Sequence, residues 1–169
     1  VCSSDLIAID GVRTDHIGVK YLRSGVCLIP QDPFILSGTI RSNIDTFEKY
    51  SNDQILDVLK KTKIYSSLHN SQSSEVELEI QTDEQSDSDS EKILNFEVKE
   101  GGGNLSQGQR QLLCIARAII SKPRILLMDE ATANIDSKTD QIIQSIVKSE
   151  FKHSTVITIA HRLNTIIQY

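Results

Sequence analysis

The 169 residues suffice for one domain with a real core, and an apolar content of 38% with only 5% aromatics makes that core aliphatic. No apolar run approaches the roughly 20 residues of a membrane span, and the start "VCSSDLIAID" lacks a basic segment followed by an apolar one, so neither a transmembrane helix nor a secretory signal is expected here. The net charge of −5 is local: residues 71–100 hold ten acids and two lysines, a balance of −8, and the other residues carry +3. It therefore excludes nothing about partners of the folded part. Three scattered cysteines, Cys2, Cys27 and Cys114, show no metal spacing and read as reduced thiols in a cytosolic setting.

In chain order, "GVCLIPQ" (25–31) reads as a buried strand running into a proline-marked loop. "DPFILSGTIRSNI" reads as loop and short helix. A single helix is expected over 51–68, with Ser51 and Gln54 as a capping box and Ile55, Val58, Leu59 and Thr62 on one stripe. Periodicity then stops. The segment 71–99, rich in Ser, Glu, Asp and Gln, has too little apolar surface to offset its ordering entropy and is expected to be a disordered acidic insert. Within it "VELEI" alternates as a brief strand does, and serines beside acids are candidate phosphorylation sites.

Beyond the insert, "EGGGNLSQGQRQLLCIARAI" (100–119) passes from three glycines into a helix whose Leu112, Ile115, Ala116 and Ile119 define one buried face, stopped by Pro123. Glycines permit close backbone approach, and a helix start offers unpaired N–H groups and positive dipole, so the pair suggests a phosphate site; a plain turn is the other reading. "RILLMDE" (124–130) is a buried parallel strand ending in two acids. Residues 137–151 form an amphipathic helix with Ile142, Ile143, Ile146 and Val147 inward. "STVITIAH" (154–161) is a second buried strand, and "RLNTIIQY" starts a helix. The alternation implies an α/β fold with a parallel sheet, where ligands sit at the carboxyl ends of strands. Gln31, Asp129, Glu130 and His161 all fall at such ends. Of two carboxylates side by side, one can hold Mg²⁺ and the other orient or deprotonate water. Solvated strand-end acids and a structural histidine are the bland alternatives.

Four motifs in order carry a resemblance. "IPQDPFILSGTIRSNI" is similar to the Q-loop of ATP-binding cassette (ABC) ATPases, "NLSQGQRQLLCIARAI" to their signature motif, "RILLMDEATANID" to their Walker B strand, catalytic glutamate and D-loop, and "TIAHRL" to their H-loop. The match covers nearly all of residues 7–169 except the insert and looks closest to the second cassette of C-subfamily, multidrug-resistance-associated exporters, whose intact Asp-Glu pair it shares. The resemblance implies a P-loop NTPase-like parallel sheet core with an inserted α-helical signature subdomain. It implies ATP and Mg²⁺, with Glu130, His161 and Gln31 catalytic and Asp129 and Gln31 toward the metal. It implies a second cassette packed head to tail, whose ATP meets Leu105, Ser106, Gly108 and Gln109, with Asp136 in the D-loop. Gln107 stands where glycine is commonest in the wider family.

No GxxxxGK[ST] occurs in the 169 residues, so nothing here replaces a P-loop's N–H groups, lysine and hydroxyl. The chain is accordingly expected to be an incomplete cassette, an internal fragment inactive by itself. The expected division is core over 7–36, helical signature subdomain over 37–122 and core again over 123–169. Residues 1–6, "VCSSDL", read back as GTG TGC TCT TCC GAT CT, the end of a common sequencing adapter, and are expected to belong to no fold. The functional expectation is the ATPase segment of a membrane exporter, lying on the cytosolic face, joined to transmembrane domains of the same transporter and binding no nucleic acid. The alternatives are a soluble ABC-type ATPase of DNA repair or translation, which usually carries a coiled coil or basic arm absent here, and a non-catalytic remnant.

Overall fold

The computed structural model describes residues 6–72, 87–131 and 135–159. A short antiparallel hairpin, β1 (Ala8–Ile9) and β2 (Val12–Arg13), precedes α1 (Val19–Gly25) and β3 (Val26–Ile29). Next come β4 (Gly38–Thr39), α2 (Ile40–Ile44), α3 (Asn52–Lys61), α4 (Ile64–Gln72), α5 (Asp87–Leu94) and β5 (Glu97–Val98). The chain continues through α6 (Gln107–Ser121), β6 (Ile125–Asp129), α7 (Ser137–Glu150) and β7 (Thr155–Ile159). The main sheet is parallel, in the order β3-β6-β7, with Leu28 opposite Leu127 and Leu127 opposite Ile157. This is the expected α/β core.

Helix starts follow local chemistry. Ser51 caps α3 in the expected box with Gln54, and Thr39 caps α2 in the same way with Ser42. The single helix expected over 51–68 is two. The Thr62 hydroxyl donates back to the carbonyls of Val58 and Leu59, Lys63 takes φ +58°, and the ladder restarts at Ile64. The expected stripe holds: Ile55, Val58, Leu59 and Thr62 are all buried.

Two other expectations change. The insert expected to be disordered over 71–99 is partly ordered. Residues 87–94 form α5, which buries Ile93 and Leu94, and β5 pairs antiparallel with β4, burying Val98. Three apolar anchors in an acidic stretch carry no periodicity long enough to read, yet they suffice for docking. The segment "VELEI" lies outside the described residues. The sheet strands, expected to be buried on both faces, are covered on one. Leu126, Met128 and Ile29 are buried, while Leu28, Ile157 and Ile159 on the opposite face are exposed.

One apolar cluster runs from Ile29, Leu126 and Met128 of the sheet through Leu113 and Ile115 of α6 to Ile55, Leu59 and Ile93. Among the described residues no helix is long and apolar enough to cross a membrane. Cys27 and Cys114 are free thiols whose pKa is raised, mainly by burial.

Because Leu94 is buried, Leu94→Ala should lower unfolding stability by about 2–5 kcal/mol in urea denaturation. A change below about 0.5 kcal/mol, the scale of an ordinary surface substitution, would show that α5 does not pack on the core.

Candidate functional site

Two groups of residues meet the expectations differently. The first lies at the strand ends. Asp129 closes β6, exposed and in register with Ile159. Glu130 follows in left-handed conformation, φ +43°, and its N–H donates to the Ile159 carbonyl at 2.9 Å. That conformation ends the strand's alternation at the second acid, at the carboxyl edge of the sheet. Gln31 leaves β3 two residues past Ile29, on the strand paired directly with β6, and is exposed. His161 lies outside the described residues.

The second group is the start of α6. Ser106 is its N-cap: the Ser106 hydroxyl accepts from the Gln109 N–H at 3.1 Å, and Gln109 Oε1 accepts from the Ser106 N–H at 2.8 Å. Gln109 Nε2 donates to the Ser67 hydroxyl at 2.9 Å. The Gln109 side chain is thus committed to holding the helix start. The Ser106 hydroxyl, acting as acceptor in the cap, keeps its own hydrogen for an outside acceptor. Leu105 is buried, so its side chain belongs to the core. Asp136 caps α7, accepting from the N–H groups of Lys138 at 3.1 Å and Thr139 at 3.0 Å.

The three glycines divide their work. Gly101 and Gly102 take φ +62° and +70°, in a short 3₁₀ turn over Glu100–Gly102. A Cβ on Gly102 would meet Arg110 Cδ at 2.9 Å and Ile35 Cγ2 at 3.2 Å. These glycines build the turn and its packing, which is the plainer of the two readings for them.

α6 is tied to the segment after β3 by residues the sequence reading passed over. Arg117 donates to the Asn43 carbonyl at 2.5 Å, to Asn43 Oδ1 at 2.7 Å and to the Phe34 carbonyl. Asn43, buried, donates to the carbonyls of Leu36 and Thr39 and accepts from the Leu36 N–H. Gln111, fully buried, donates to the Pro30 carbonyl at 3.4 Å, and its Oε1 has no hydrogen-bond partner among the described residues. Neither stands out in the sequence: Asn43 follows Arg41 and Ser42, and Gln111 closes the polar run that begins at Gln107.

Comparison with known proteins decides the family. The ABC transporter family profile matches residues 2–133. The chain belongs to the ABC transporter family. Its relatives are C-subfamily transporters. It is 43% identical to the pleiotropic ABC efflux transporter of multiple drugs YBT1 of Candida glabrata, over 96% of this chain and 10% of that protein. It is 46% identical to ATP-binding cassette sub-family C member 3 of Homo sapiens, over 96% of this chain and 9% of that protein. The chain thus spans about a tenth of the length of these relatives. A bacterial Atm1-family ABC exporter solved with ATP bound superposes with a TM-score of 0.74 at 31% identity, over 94% of this chain and 25% of that one.

In this cassette segment, hydrogen bonds from Thr139 hold the Asp136 carboxyl below its ordinary value of 3.8. A lowered folded-state pKa means the cap's contribution is complete above 3.8 and is lost as pH falls through the lower folded value. Carboxyl-carbon NMR should therefore give Asp136 a midpoint below 3.8, with the Thr139 amide shifting in step. A midpoint at or above that value would show the cap is not formed.

Proposed function

We propose that this segment serves ATP binding and hydrolysis in an ABC exporter, within a pair of head-to-tail cassettes. The observation that carries the reading is the convergence of Gln31, Asp129 and Glu130 on one edge of the parallel sheet, with the Glu130 N–H fixed to the end of β7. Glu130 acts as general base, taking a proton from the water that attacks the γ-phosphate. Gln31 orients that water and offers an oxygen to the metal, and His161 is assigned a catalytic part by the resemblance alone.

The donor set suits Mg²⁺: Asp129 and Gln31 offer hard oxygen atoms, and among the described residues no group of three or more His, Cys, Asp or Glu side chains converges. A magnesium site with few protein ligands keeps water and phosphate oxygens in its shell. Bound there, the ion would neutralise phosphate charge.

The α6 start serves the ATP held by the partner cassette. The Gln107 and Gly108 N–H groups are among the first four of a 15-residue helix, at the positive end of its dipole, and the Ser106 hydroxyl hydrogen stands beside them. Asp136 caps α7, whose Thr139 lies against Gly108 at this start. The transmembrane domains of the same transporter would lie against the cytosolic cassette, and Phe34, Leu36 and Phe47 are exposed apolar residues available to them. Without a P-loop motif among its 169 residues, the chain alone is expected to turn over no ATP.

In the full-length polypeptide carrying this segment, Glu130→Gln should cut hydrolysis by about 10² to 10⁴ while leaving ATP binding intact. Asp129→Asn should instead weaken Mg²⁺-dependent nucleotide binding. Equal Mg²⁺–nucleotide affinities in the two variants would refute this division of roles, as would robust turnover by the isolated chain.

A further inference from the structure

Gly108 stands in the first turn of α6, and the space where its Cβ would go is filled from inside the protein. A Cβ built there lies 2.9 Å from Thr139 Cγ2, 3.5 Å from Thr139 Oγ1 and 3.6 Å from Thr139 Cβ. Real Cβ contacts do not come this close. Thr139 cannot turn aside freely, since a β-branched side chain in a helix has few rotamers. Its N–H is capped by the Asp136 carboxylate at 3.0 Å, and its hydroxyl helps hold that carboxyl's pKa down. These bonds aim the Cγ2 methyl at Gly108.

We infer that Thr139 is a positioning residue: its methyl sets the distance between the start of α6 and the start of α7, and residue 108 is glycine because of this inward contact. The inference rests on the reading that the α6 start serves the partner's ATP, and it assigns the glycine a different reason from close approach to phosphate. The α6 start and the Asp136 cap are then one rigid corner. The N–H groups of Gln107 and Gly108 reach their ligand from a position that α7 fixes. A methyl at 108 pushes α6 off α7 and displaces those groups together.

The test uses the full-length polypeptide and reads nucleotide trapping in the partner's site together with thermal unfolding. Gly108→Ala should lower trapping by about tenfold or more, as overpacking of a close contact does. Adding Thr139→Ser, which removes Cγ2 and keeps the hydroxyl on Asp136, should restore most of the loss. Adding Thr139→Val, which keeps both branches, should restore nothing. The melting temperature should follow the same order. If Gly108→Ala stayed defective with Thr139→Ser while Ser106→Arg abolished trapping, the methyl would be obstructing the ligand itself and the inference would fall. Rescue by Thr139→Ser, with Ser106→Arg leaving the partner's site untouched, would uphold the contact and remove the trans assignment instead.

Discussion

The structure depends on α6 being buried on nearly every side. The sequence pattern indicates one apolar face, yet Gln111 through Ala116 and Ala118 through Ile120 are all buried. The helix therefore cannot tilt or slide alone; it lies between the sheet at Ile29 and Met128 and the helices at Ile55 and Leu59. Close packing makes such a helix a lever with fixed ends. Its N-terminus carries the capping box and the unpaired N–H groups, and further along Arg117 grips the segment that follows β3.

That grip joins the two parts of the proposed site. Arg117 and Asn43 fix the stretch between Phe34 and Asn43, and Gln111 reaches the Pro30 carbonyl just before Gln31. Hydrogen bonds from a charged group contribute about 1.5–3 kcal/mol each. α6 is thus hydrogen-bonded directly to the backbone next to Gln31.

Much of this was legible in the sequence. The strands over 26–29, 125–129 and 155–159, the capping box at Ser51, and the acid pair at the end of β6 all follow from short-range pattern and from resemblance. What was not legible depends on tertiary contact. The break at Lys63 needs a left-handed residue that carries no glycine signal. Ile93, Leu94 and Val98 are too few to outweigh an acidic composition, though each is buried. The contact between Gly108 and Thr139 joins residues far apart in sequence, so the same glycine reads equally as a phosphate contact or a packing contact until α7 is placed.

The central claim is that Arg117 fastens the segment after β3 to a helix held by the apolar core. Native-state hydrogen exchange on Arg117→Met tests it most directly. The Leu36 amide, bonded to Asn43 Oδ1, should lose at least about tenfold more protection than the amides of Leu113 and Ile115, which the core continues to hold. Equal loss at all three, or undiminished protection at Leu36, would contradict the claim.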